Sequence, residues 1–165
     1  MNDDRPTYLR LTRDPSPAIF GNDYSFEIGK AVLLRAGGDI GIVSTGVQTV
    51  RALAAADILA SAGIEASVLH VPTLKPFDVD AVVELAERTN AIVSAEDHSI
   101  IGGLGGAVAE VLAEHRPTRM RRVGIQDTFG ESGPNDAILE KYGLTPEHIV
   151  RAANELLALT AVTTR

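Results

Sequence analysis

Residues Ala91 to Leu112, AIVSAEDHSIIGGLGGAVAEVL, carry the reading of the fold. The apolar run Ala91 to Ala95 ends in Glu96-Asp97-His98. A glycine cluster at Gly102, Gly103, Gly105 and Gly106 follows and opens into a segment of helical period. This order predicts a buried strand, a polar loop, and a helix whose start is approached closely by other backbone. In an open α/β sheet, ligands and partners meet the loops at the carboxyl ends of the strands. The segment therefore marks the working edge of the domain.

Outward from that stretch the pattern repeats. Ala31 to Leu34 and Ile40 to Ser44 are apolar runs separated by Ala36-Gly-Gly-Asp39, a spacing that predicts a hairpin. Thr45 is placed to cap a helix over Val47–Ser61 with Val50, Leu53, Ala54, Asp57 and Ile58 at helical spacing. Ala66 to Val71 reads as a strand. Asp78 caps a helix carrying Val79, Val82, Val83 and Ala86, and Arg122 to Ile125 reads as another strand. Asn135–Lys141 forms a short helix ended by Gly143. Thr145 and Pro146 open a last helix with Ile149, Val150, Ala153, Leu156 and Leu157 on one stripe. Tyr8–Thr12 is a short candidate strand, and residues beyond Leu159 read as a fraying tail. Strands alternating with helices imply a three-layer α/β/α sandwich: a mostly parallel five-stranded sheet with one antiparallel strand.

At 165 residues the chain suits a single domain with a full core. A net charge of −7 argues against nucleic acid or an anionic membrane as partner. Arg119, Arg121 and Arg122 read as the solvated edge of a strand. With no cysteine, disulfides and thiolate metal sites are excluded, in keeping with a cytoplasmic protein. No apolar run approaches the ~18 residues of a membrane span, and the first residues resemble neither a signal nor a transit peptide.

The chemistry is sparse. A dinucleotide fingerprint needs G-x-G-x-x-G in the first βα turn; counted from Gly103, the sixth position here is Val108, and the cluster lies late in the chain. The glycines instead fit a tight turn and close packing, although a helix start of this kind can hold an anion weakly. Glu96, Asp97 and His98, on adjacent positions, point in different directions. His70, His98, His115 and His148 show no metal-ligand spacing. His115 and His148 read as surface helix residues, and His98 as a loop residue at a partner interface. No serine has a nucleophile-elbow context. Glu96, His98, Gly102, Gly103 and Gly105 form a candidate interface or anion site.

Six motifs in order carry a resemblance. They are Phe26-Glu-Ile-Gly-Lys-Ala-Val-Leu-Leu-Arg, Gly38-Asp-Ile-Gly-Ile-Val-Ser-Thr-Gly, Thr73-Leu-Lys-Pro-Phe-Asp, Glu96-Asp-His with its glycines, Phe129-Gly-Glu-Ser-Gly-Pro, and Lys141-Tyr-Gly-Leu-Thr. From about Pro6 to Leu157 the chain resembles the C-terminal part of a transketolase, most closely the form split into two polypeptides. Residues 1–22 then correspond to a remnant of the preceding pyrimidine-binding domain plus linker, 23–160 to the C-terminal domain, and 161–165 to a tail.

The resemblance implies a part of an enzyme that moves a two-carbon ketol unit between sugar phosphates, using thiamine diphosphate and Mg²⁺ held by other domains. No Gly-Asp-Gly motif for that cofactor occurs here, so none is expected to bind to this chain, and the isolated chain is expected to be inactive. The implied partners are the remaining transketolase domains or an N-terminal subunit, together with a second copy in a homodimer. By the same resemblance, Arg13 matches an arginine that reaches the substrate phosphate, a role suited to a planar guanidinium. Three alternatives stay open: a regulatory module binding a small anion, a fragment of a 2-oxoacid dehydrogenase β subunit, and a fragment of 1-deoxyxylulose-5-phosphate synthase.

Overall fold

The structure, a computed structural model, describes residues 6–9, 11–12 and 15–163, with side chains described as far as Leu159. Ten elements follow in order: β1 Val32–Arg35, β2 Ile40–Ser44, α1 Gln48–Ser61, β3 Ala66–His70, α2 Val79–Thr89, β4 Ala91–Ser99, α3 Leu104–His115, β5 Arg119–Ile125, α4 Asn135–Lys141 and α5 Pro146–Thr163. The sheet runs β1-β3-β2-β4-β5, with β1 antiparallel to β3 and the other pairs parallel.

Alternation along the strands divides the core into two layers. Ile40, Ile42, Val68, Ala91, Val93 and Ala95 face α1 and α5, where Ala52, Ala56, Leu59, Ile149 and Leu156 complete one cluster. Val43, Leu69 and Ile92 face the other way, against Val82, Leu85, Leu104, Val108 and Leu112 of α2 and α3. Each fully buried Val, Leu or Ile contributes about 1.5–3 kcal/mol, so these two layers hold the sandwich together. The helices after β2 and β4 lie on opposite faces, which puts the switch point between the carboxyl ends of these neighbouring strands. There the Thr45 N–H donates to Ala95 O.

The three-layer architecture and its single antiparallel strand agree with expectation, but several local readings need correction. β1 and β2 do not pair as a hairpin, because β3 inserts between them. The Ala36–Asp39 link is captured by the start of β3. Ser67 Oγ donates to Gly37 O at 2.7 Å, the Asp39 N–H donates to Glu65 O at 2.9 Å, and Asp39 returns a carboxylate to the Glu65 N–H. Gly37 is needed at this contact, since a Cβ there would lie 2.4 Å from Glu65 O.

α1 buries Gln48, Thr49, Ala52, Ala55, Ala56 and Leu59, and leaves Ile58 exposed. Small alanines let it seat closely between the sheet and α5, so the expected stripe of larger residues sits at the rim. Thr45 makes no cap: the residue at that position is Val47, and the Thr45 hydroxyl donates to Val71 O. Asp78 does cap α2, accepting from the Ala81 N–H at 3.3 Å. No strand forms among the described residues of Tyr8–Thr12, and β5 begins three residues early, at Arg119. α5 continues to Thr163, so residues 161–163 belong to that helix rather than to a tail. Arg119, Arg121 and Arg122 lie exposed on the edge strand β5.

Candidate functional site at the carboxyl edge of the sheet

β4 is longer than expected and carries Glu96, Asp97 and His98 as strand residues rather than as loop. The pleat therefore decides their directions. Glu96 and His98 share the α3 face and converge. Asp97 turns to the opposite layer, where it lines a cavity of about 450 Å³ with Arg51.

Glu96 has no exposed surface. Its Oε2 accepts from the Leu104 N–H at 2.7 Å and its Oε1 from the Gly105 N–H at 2.8 Å, the first donors of α3. A helix start leaves such N–H groups without intrahelical partners and carries partial positive charge, so a carboxylate stabilises it twice over. The same Oε2 lies 3.0 Å from His98 Nδ1.

The glycine cluster follows from this carboxylate. A Cβ at Gly103 would fall 2.0 Å from Glu96 Oε2 and 2.5 Å from His98 Cε1, and one at Gly105 would fall 2.9 Å from Oε1. What approaches the helix start is thus the Glu96 side chain, not other backbone. Gly102 has a different reason, with φ at +73° in the turn before the helix. Gly106 faces open space.

His98 Nδ1 has two acceptors, Glu96 Oε2 and, at 3.2 Å, Ser99 O. The neutral ring therefore carries its hydrogen on Nδ1 and presents the Nε2 lone pair outward from a side chain 40% exposed. The place a small anion would take on α3 is filled by the chain's own carboxylate. Among the described residues no group of three His, Asp or Glu is arranged to hold a metal ion. Arg13 lies outside the described residues.

His70 is buried at the end of β3, where burial pushes its pKa below the ordinary imidazole value. Its Nδ1 meets Thr49 Oγ1 at 2.7 Å, and Phe20 packs across the ring. His115 is exposed on α3 as expected, but His148 is partly buried, with Nδ1 2.9 Å from Thr145 Oγ1.

A second corner of this edge lies after β5. The segment 126–134 is braced by Tyr142, whose hydroxyl proton is shared between Phe129 O at 2.9 Å and Glu131 Oε1 at 3.2 Å, and by a Lys141–Glu131 ion pair. The Lys141 ammonium beside it lowers the pKa of Glu131, and Glu131 raises that of Lys141. The loop holds the Phe129 ring 99% exposed. Leu11, Thr12 and Pro15–Pro17 line the 450 Å³ cavity together with Gly130, Glu131 and Tyr142, so the leader of the chain arrives at this corner. The candidate site read from sequence does not include it, although the Phe129 and Lys141-Tyr142 motifs were its visible signal.

The fold and this edge define a doubly wound α/β domain whose polar loops close on one another. Residues 29–149 match the family described as the transketolase C-terminal domain. The chain belongs to that family. It is 52% identical over 153 residues to the 6-deoxy-6-sulfo-D-fructose transketolase subunit SqwH of Clostridium sp. (strain MSTE9), covering 93% of this chain and 48% of that protein. Against 1-deoxy-D-xylulose-5-phosphate synthase of Heliobacterium modesticaldum it is 38% identical over 130 residues, which is 78% of this chain and 20% of the synthase. Among solved structures, a split gene transketolase described as an inactive β4 tetramer superposes with a TM-score of 0.86 at 48% identity, covering 89% of this chain and 48% of that one. The chain thus spans about half the length of these split-transketolase relatives.

Proposed function

We propose that this chain serves as the C-terminal domain of a split transketolase, building the subunit assembly and shaping the approach to an active site made elsewhere. The observation that carries this reading is the closed Glu96 site. The helix start best placed to receive a diphosphate or sugar phosphate has its first donors consumed internally. The residues present therefore do not fit thiamine diphosphate, and the cofactor with its Mg²⁺ belongs to other domains of the assembled enzyme. That enzyme transfers a two-carbon ketol unit between sugar phosphates, and this chain alone is inactive.

The partners are the remaining transketolase domains or an N-terminal subunit, with a second copy completing a homodimer. Their sources of support are the half-length match to split subunits and the tetramer described for one such relative. Glu96, His98, Gly102, Gly103 and Gly105 shape an interface beside the switch point, where His98 Nε2 offers an acceptor. Arg13 contacts the substrate phosphate once the assembly is complete. The cytoplasm is the compartment in which this enzyme works; no helix among the described residues is long and apolar enough to cross a membrane.

The test is reconstitution. The chain alone should give no calorimetric heat with Mg²⁺–thiamine diphosphate and no ketol transfer, and mixing it with the unmatched half of the Clostridium sp. subunit and that subunit's partner should restore transfer. Saturable cofactor binding by the chain alone would contradict the reading.

A further inference from the structure

We propose that the Phe129 corner is the surface on which this domain seats the half of the split-transketolase subunit that it does not itself contain, with Phe129 as the anchor. This rests on the assembly reading above and gives it a location. Three observations favour this occupant. The Phe129 ring is almost wholly exposed, yet its loop is held in place by Tyr142, Glu131 and Lys141. A preorganised aromatic gives up little conformational freedom on binding and is the kind of residue that dominates an interface. Secondly, Tyr8, Leu9 and Leu11 are also exposed, and Leu11, Thr12 and Pro15–Pro17 line the cavity together with Gly130, Glu131 and Tyr142. A further domain joined ahead of Pro6 is tethered through this segment, whose Leu11, Thr12 and Pro15–Pro17 line this corner. Thirdly, the split-subunit relatives carry about as much chain again outside the matched half, enough to make a further domain.

The surface is tested on the 165-residue chain and on the same chain joined, ahead of Pro6, to the unmatched half of the Clostridium sp. subunit. The chain has no cysteine, so Thr128→Cys beside the anchor and Ala113→Cys on α3 each supply a single thiol in this half. Both positions are exposed in the domain alone. Labelling by a maleimide should slow at least about tenfold at position 128 on joining and stay unchanged at 113. In trans, Phe129→Ala should bind the unmatched half at least about thirty-fold more weakly than wild type. Equal labelling at 128 in both forms overturns the proposal. If the joined protein nonetheless restores ketol transfer with its partner subunit, only the surface assignment falls; if transfer is absent as well, the assembly reading falls with it. Slowing at 128 that grows with concentration in the unjoined chain makes the corner a contact between copies, which also overturns the proposal.

Discussion

The two corners of the sheet's carboxyl edge resolve opposite problems. At the start of α3, a buried carboxylate, two backbone donors and an imidazole satisfy one another, and glycines clear the space they need. After β5, exposed charges brace a loop that presents an aromatic ring to water. The first corner has used its carboxylate and helix-start donors internally, leaving only the outer edge of the His98 ring free, and stiffens the β4–α3 connection. The second has used its polar groups only for bracing and leaves its apolar payload unspent. Glycine-rich sequence beside an acidic pair invites a ligand reading, yet here it marks a self-contained joint. The unsatisfied surface lies where the sequence looked least chemical.

The comparison breaks most easily at Glu96. Glu96→Ala leaves the Leu104 and Gly105 N–H groups buried without acceptors and should cost about 3–5 kcal/mol, read by urea unfolding. A loss under about 1 kcal/mol would mean that the joint is not what holds β4 to α3. Next comes a pair of neighbouring glycines. Gly103→Ala drives a methyl into the carboxylate and should cost about 2–3 kcal/mol. Gly106→Ala meets nothing and should stabilise α3 by about 0.5–1 kcal/mol. Equal effects at the two positions would remove the explanation given for the cluster. Phe129→Ala should leave unfolding free energy within about 0.5 kcal/mol of wild type, because the ring packs on nothing in this domain.

The smallest effect is on pH. Lys141 depresses the pKa of Glu131, so the folded loop binds fewer protons than the unfolded chain in the acid range. The ion-pair brace is therefore fully present above the ordinary carboxylate value and is lost as pH falls through the lowered folded value. For Lys141 the shift is upward, so its contribution is complete below the ordinary lysine value and is lost as pH rises through the raised one. Amide exchange of 127–131, corrected for intrinsic rates, should show protection between these limits and loosening only outside them. Loosening already near neutral pH would argue against the brace.

Much of the architecture was legible. The alternation of strands and helices gave the three layers, and Asp78, Asn135–Lys141 and the stripe of α5 were readable because capping and period-3.6 patterning are local. What failed depends on partners distant in sequence. A strand from residues 66–70 enters between β1 and β2, and no local pattern announces it. The buried face of α1 is set by how closely the helix approaches the sheet, which favours alanine over leucine. In the site, the apolar run that ends at Ala95 gives no sign that the strand continues, so adjacent polar positions 96 to 98 look divergent. Four more strand residues, 96–99, put the side chains of 96 and 98 on one face. The Phe129 corner was visible as a motif but not as a surface, since exposure and bracing by Tyr142 arise only from tertiary placement.

The most direct measurement is amide exchange across both corners, on the chain alone and on the chain joined to the unmatched half of the Clostridium sp. subunit. The account predicts that Leu104 and Gly105 are strongly protected in both forms, while 127–131 has only the weak protection of its surface brace in the chain alone and becomes strongly protected on joining. Rapid exchange at Leu104 and Gly105, or an unchanged 127–131, would contradict the division between a joint that is already closed and a surface that waits for its partner.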